Sequence, residues 1–129
     1  MSYSDEFRNF LIEHLAGFGP VTVRRMFGGG GIYRDGLMFG IIQDETIYLK
    51  ADADSRPRFD AEGSVPFVYQ SDKGKKVALN YFRVPERCMD DPAEMVEWAR
   101  LGYGAALRAA ASKAPGKKSK VRRRASGQS

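Results

Sequence analysis

Four consecutive glycines, Gly28-Gly29-Gly30-Gly31, stand between Arg24-Arg25-Met26-Phe27 and Ile32-Tyr33-Arg34, and they rule a helix out of this part of the chain. Each glycine in a helix interior costs about 1 kcal/mol relative to alanine, and four in a row cannot be offset locally. The flanks read instead as strands. Val21, Val23, Arg25 and Phe27 fall on one face and Thr22, Arg24 and Met26 on the other. After Ile32-Tyr33-Arg34, Asp35-Gly36 is a two-residue hairpin signal, because both central positions of a type I′ turn need positive φ. A turn or bulge at positive φ is therefore the expected use of the glycine run. Its competitor is an anion cradle of bare backbone N–H groups. No Lys-Ser or Lys-Thr follows, and a strand follows where a phosphate loop needs a helix.

The rest of the chain extends this β reading. Leu37-Met38-Phe39-Gly40-Ile41-Ile42 is apolar on both faces and suits a central strand. Gln43-Asp44-Glu45 turns the chain, and Thr46 to Lys50 alternates with Ile47 and Leu49 facing the core. Asp54 or Ser55 caps a short helix through Arg58 and Phe59, with Pro57 in its first turn and Gly63 past its end. Pro66–Gln70 and Val77–Val84 form a hairpin with a polar tip that holds Lys73, Lys75 and Lys76. Before the sheet, Tyr3, Phe7, Phe10, Leu11 and Leu15 recur at helical spacing, capped by Ser2 with Asp5 or by Ser4. After it, Asp91, Pro92 and Glu94 supply an N-cap, an N1 proline and a capping box for a long helix. The stripe of that helix is Val96, Ala99, Tyr103, Ala106 and Ala110, widened by Met95, Trp98 and Leu107. Gly102 and Gly104 either admit a neighbouring backbone or mark a bend. The expected fold class is α+β: a mostly antiparallel sheet of about six strands, with an N-terminal and a long C-terminal helix packed on one face.

Charge divides the chain in two. Its net charge of +5 over 129 residues hides a body of residues 1–112 that holds 14 bases against all 16 acids. Residues 113–129 hold Lys113, Lys117, Lys118, Lys120, Arg122, Arg123 and Arg124 with no acid. The expected organisation is one domain over 1–112 and a disordered basic tail over 113–129. Lys117, Lys118, Lys120, Arg122, Arg123 and Arg124 are candidates for nonspecific nucleic-acid contact. The single cysteine excludes an internal disulfide framework and fits a reducing compartment. With no charged-then-apolar leader and no long apolar run, the expectation is a cytoplasmic protein without a membrane segment.

Catalytic chemistry finds little to work with. His14 is the only histidine and reads as a surface residue, and no ligand spacing joins it to Cys88, so no metal and no cofactor is expected. Asp90-Asp91 is accounted for by helix capping. Arg24 and Arg25 lie on opposite strand faces, so one is free for a partner while the other pairs with an acid such as Asp52. Arg24, Arg25, Lys50, Lys73, Lys75 and Lys76 are the candidate partner-binding residues. The lysines of the hairpin tip, with the faces near Tyr48 and Tyr69, make a candidate basic and aromatic patch for nucleic acid. The competing enzymatic reading places a phosphorylated ligand in the glycine loop, neutralised by Arg24 or Arg25.

One resemblance covers about residues 5–110. Arg25-Met26-Phe27-Gly28-Gly29, Gly31-Ile32-Tyr33, Gly36-Leu37-Met38-Phe39 and Tyr48-Leu49-Lys50-Ala51-Asp52 resemble the N-terminal domain of the TfoX/Sxy proteins. Pro66-Phe67-Val68-Tyr69, Tyr81, Pro85 and Trp98-Ala99 fit the same pattern. The resemblance implies a regulator of competence for DNA uptake, acting with a cyclic-AMP receptor protein at promoters and not as an enzyme. It also implies a small α+β fold similar to secretion-chaperone-like domains. Full-length members carry a second, helical domain where this sequence has its basic tail, so a stand-alone N-domain is the expectation.

Overall fold

A computed structural model describes residues 3–26, 28–70 and 73–113. The order is α1 (Asp5–His14), β1 (Thr22–Met26), β2 (Gly29–Arg34), β3 (Leu37–Gln43), β4 (Thr46–Lys50), α2 (Arg56–Ala61), β5 (Pro66–Gln70), β6 (Lys76–Arg83), a single 3-10 turn (Glu86–Met89) and α3 (Pro92–Lys113). The six strands form one sheet in the order β1-β2-β3-β4-β6-β5, antiparallel at every pairing. The expected α+β architecture is therefore the observed one, with the apolar β3 in the interior of the sheet. Of the expected basic tail over 113–129, Lys113 ends α3, and the remainder, the Ser2 cap and Phe27 lie outside the described residues.

The glycine run does something other than the expected turn. Only Gly28 has positive φ, at 72°. Gly29, Gly30 and Gly31 are strand residues of β2, paired with β1 on one side, and Gly30 and Gly31 with β3 on the other. They are small because neighbours press on them. A Cβ on Gly29 would collide with the carbonyl oxygen of Ile42, one on Gly30 would sit 2.5 Å from the Tyr3 ring, and one on Gly31 would sit 2.7 Å from the Met26 sulfur. The hairpin signal at Asp35-Gly36 holds, with φ of 51° and 78°. Asp44 and Glu45 make the next turn, also at positive φ and without a glycine.

The principal core lies between one face of the sheet and the helices. Leu11 and Leu15, Phe59, and Met95, Trp98, Ala99 and Ala106 close over Ile32, Phe39, Ile42, Ile47, Leu49 and Phe82. Each fully buried aliphatic or aromatic side chain contributes about 1.5–3 kcal/mol. The buried stripe of α3 is rotated from the expected one, since Ala105 is buried, Leu107 is 49% exposed and Ala110 is exposed. Gly102 explains the rotation. It meets the sheet directly, where a Cβ would lie 3.1 Å from Leu49 Cβ and 3.2 Å from the Phe39 carbonyl oxygen. That close approach turns the Gly102 side of the helix inward. Gly104 has only the Arg108 guanidinium near it, so it admits no backbone.

Two of the expected caps are present and two are not. Ser4 caps α1 by accepting from Phe7 N–H, and Asp91 Oδ1 accepts from the N–H groups of Ala93 and Glu94. Glu94 does not reach back to close the box. Its Oε2 accepts instead from Trp98 Nε1 at 3.1 Å and from Arg87 Nε at 3.0 Å. Ser55 precedes α2 without a side-chain cap, and its hydroxyl accepts from Asp52 N–H.

Candidate interaction surfaces

Each strand has two faces, and the helices cover only one of them. On the other face a second cluster gathers Ile41, Phe67 and Tyr81, with Met38, Tyr48, Tyr69 and Leu79 against it. No helix residue belongs to this cluster among the described residues. Strand register adds the polar members of the face. Arg24 pairs opposite Gly31, whose missing side chain points at Met26, Met38 and Tyr33, so Arg24 shares their face. Tyr48 pairs with Arg83 and Lys50 with Tyr81, which places both cations there too.

The arginines separate as their parity requires. Arg24 is exposed and stands 5.3 Å above the Tyr33 ring on the open face. Arg25 lies on the helix side, 4.7 Å above the Tyr3 ring and 3.7 Å from Asp5. One of the two thus meets an acid as expected, but the acid is Asp5 and not Asp52. Asp52 is held by Arg108 of α3, with Nε–Oδ2 at 2.6 Å, because the C-terminal part of α3 runs past the end of β4. The hydrogen bond from Arg108 lowers the Asp52 carboxyl to about 2, and the Ser55 amide and hydroxyl add to it.

Lys50 stands 5.1 Å above the Tyr81 ring. Burial raises the Tyr81 hydroxyl to about 12, with a smaller contribution from the nearby Tyr33. Lys73, Lys75 and Lys76 are exposed at the β5–β6 tip, away from Arg25. The structure thus brings Arg24 and Lys50 to one face and leaves Arg25 on the other. Arg83, Tyr33 and Tyr81 are on this face too, although the sequence named none of them as a contact residue. The Leu79, Tyr81, Arg83 alternation was the available signal for two of them.

His14 is not the bland surface residue its helix position suggests. Its Nε2 lies 2.7 Å from the Cys88 carbonyl oxygen, and its ring stacks on Phe10 at 4.7 Å. The fold therefore does join the two residues, but through a backbone oxygen. The Cys88 thiol is fully buried, and that burial raises it to about 12, so the reactive thiolate is scarce at neutral pH. Among the described residues no three His, Cys, Asp or Glu side chains group as a metal site. The glycines of β2 lie inside the sheet between β1 and β3, where their backbone groups face ladder partners and cannot form an open anion cradle. No helix among the described residues is long and apolar enough to cross a membrane.

Comparison with known proteins adds the lineage of this arrangement. The model of the TfoX N-terminal domain matches residues 13–106. Protein Sxy of Escherichia coli (strain K12) is 29% identical over 96 residues, covering 74% of this chain and 46% of that protein. DNA transformation protein TfoX1 of Aliivibrio fischeri (strain ATCC 700601 / ES114) is 30% identical over 97 residues, covering 74% of this chain and 44% of that protein. The matched region spans a little under half the length of these curated relatives.

Proposed function

Since this chain belongs to the TfoX N-terminal domain family, we propose that it is a non-enzymatic regulatory module, working in the cytoplasm on competence and transcription through a protein partner. The observation that carries this reading is the family match over residues 13–106, joined by relatives of which one is named for DNA transformation. The open sheet face and the exposed hairpin tip supply surfaces for a partner, with Arg24, Lys50, Lys73, Lys75 and Lys76 as candidate contacts, while Arg25 on the helix side falls outside both. The partner class is a transcription factor such as a cyclic-AMP receptor protein. The enzymatic alternative loses its main support, because Gly29–Gly31 are spent on the sheet interior. Immobilised full-length chain should retain a specific transcription factor or polymerase component from a bacterial lysate. A variant with Arg24, Lys73 and Lys76 changed to Glu should lose it. Retention of nothing specific would overturn the reading.

The seven bases without an acid in residues 113–129 favour a second, additive activity, nonspecific nucleic-acid affinity. If all seven engage duplex phosphates, log K against log[salt] falls with a slope of about −6 at most. Changing the seven to Gln should flatten that slope and abolish duplex binding. Unchanged duplex binding would remove the tail from the account.

A further inference from the structure

The open face of the sheet combines two properties that seldom meet by chance. Half-buried rings of Tyr33, Tyr48 and Tyr69 line it, and Arg24, Lys50 and Arg83 stand among them. The six strands contain no Asp or Glu at all. Of the acids in the nearby turns, Glu45 accepts from Ser4 and Asp35 from Tyr103 of α3, while Glu62 and Glu86 line a hollow beside Arg83. A polyanion is therefore the ligand this charge distribution favours.

Rings set among cations on a sheet face are suited to unpaired bases, which expose π-faces that a duplex keeps stacked inside. The chain's own tail is a poor occupant, since it carries the same sign of charge.

We propose that the sheet face opposite the described helices binds single-stranded nucleic acid, with Tyr33, Tyr48 and Tyr69 stacking unpaired bases and Arg24, Lys50 and Arg83 holding the phosphates. The activity differs from the tail's duplex affinity and shares Arg24 and Lys50 with the surface offered to a protein partner, so the lysate experiment is run after nuclease treatment and then reads a protein ligand alone.

Fluorescence anisotropy of the full chain with labelled oligo(dT) and oligo(U) of about 12 nucleotides, and with a duplex of equal length, tests it. At about 0.1 M salt both single strands should bind more tightly than the duplex. The Tyr33→Leu/Tyr69→Leu variant should lose about tenfold in single-strand affinity and keep its duplex affinity. Tyr33→Phe/Tyr69→Phe should retain both. The Arg24→Gln/Arg83→Gln variant alters exposed side chains only and should reduce the single-strand salt slope by about 1.4. Equal affinity for single strand and duplex, or Leu and Gln variants that bind the single strand as the parent does, would overturn the proposal. Displacement of oligo(dT) by polyglutamate as effectively as by unlabelled oligo(dT) would overturn it too, assigning the face to an acidic protein.

Discussion

Residue by residue, the β2 glycines show why a side chain is absent better than what its absence leaves open. Gly29 faces the fixed backbone oxygen of Ile42, whereas Gly31 faces the mobile ends of Met26 and Met38. An added methyl therefore has different consequences at two positions that look identical in sequence. Gly29→Ala should cost about 1–3 kcal/mol through overpacking. Gly31→Ala should be close to neutral, because the methionines give way and the unfolded chain loses some freedom. Urea denaturation of the two variants checks this, and equal losses would show that the neighbours are not the reason. Sequence identified the glycines as a constraint but assigned them to a turn, since only Gly28 is at positive φ. The clashes that demand the other three come from residues up to 27 positions away, such as Tyr3 against Gly30.

At the scale of elements, local signals translated faithfully wherever both partners lie within one turn. Asp91 caps α3 as its sequence position implies, and Asp91→Ala should lower stability by about 1 kcal/mol, with Asp91→Asn restoring most of it. Unfolding followed by the fluorescence of Trp98, the single tryptophan, would report the loss. A loss under a few tenths of a kcal/mol would mean that packing alone sets the helix start. Glu94 shows where such signals end. Its position fits a capping box, yet Arg87 donates to it from the preceding 3-10 turn and Trp98 from one helical turn onward. Arg87 also grips Glu62 at the end of α2 at 2.9 Å, which lowers the Glu62 carboxyl. One arginine thus ties two helices together, and no spacing in the sequence announces it.

Across the whole molecule, Asp52 and Arg108 join the end of β4 to the C-terminal part of α3, 56 residues apart in sequence. The Arg108 hydrogen bond holds the folded carboxyl at about 2, below its ordinary value of 3.8. A depressed carboxylate contributes stability fully above the higher value and loses it as pH falls toward the lower one. Stability should therefore decline between about pH 4 and pH 2, and Arg108→Gln should flatten that decline while lowering stability at pH 7. Denaturation midpoints across this range test it, and a variant that declines as steeply as the parent would place the acid sensitivity elsewhere. Alternation, glycine placement and caps are local, so the order of helices and strands, the α+β class, the interior position of β3 and the burial of Ile47 and Leu49 could be read from the residues alone. The family-like block identified the lineage for the same reason. Long-range packing settled which face the helices cover, how Gly102 rotates α3, that Asp52 meets Arg108, and that Arg24, Lys50 and Arg83 share the opposite face. Those outcomes depend on strand register and helix docking, which bring together residues whose separation in sequence carries no trace of the contact.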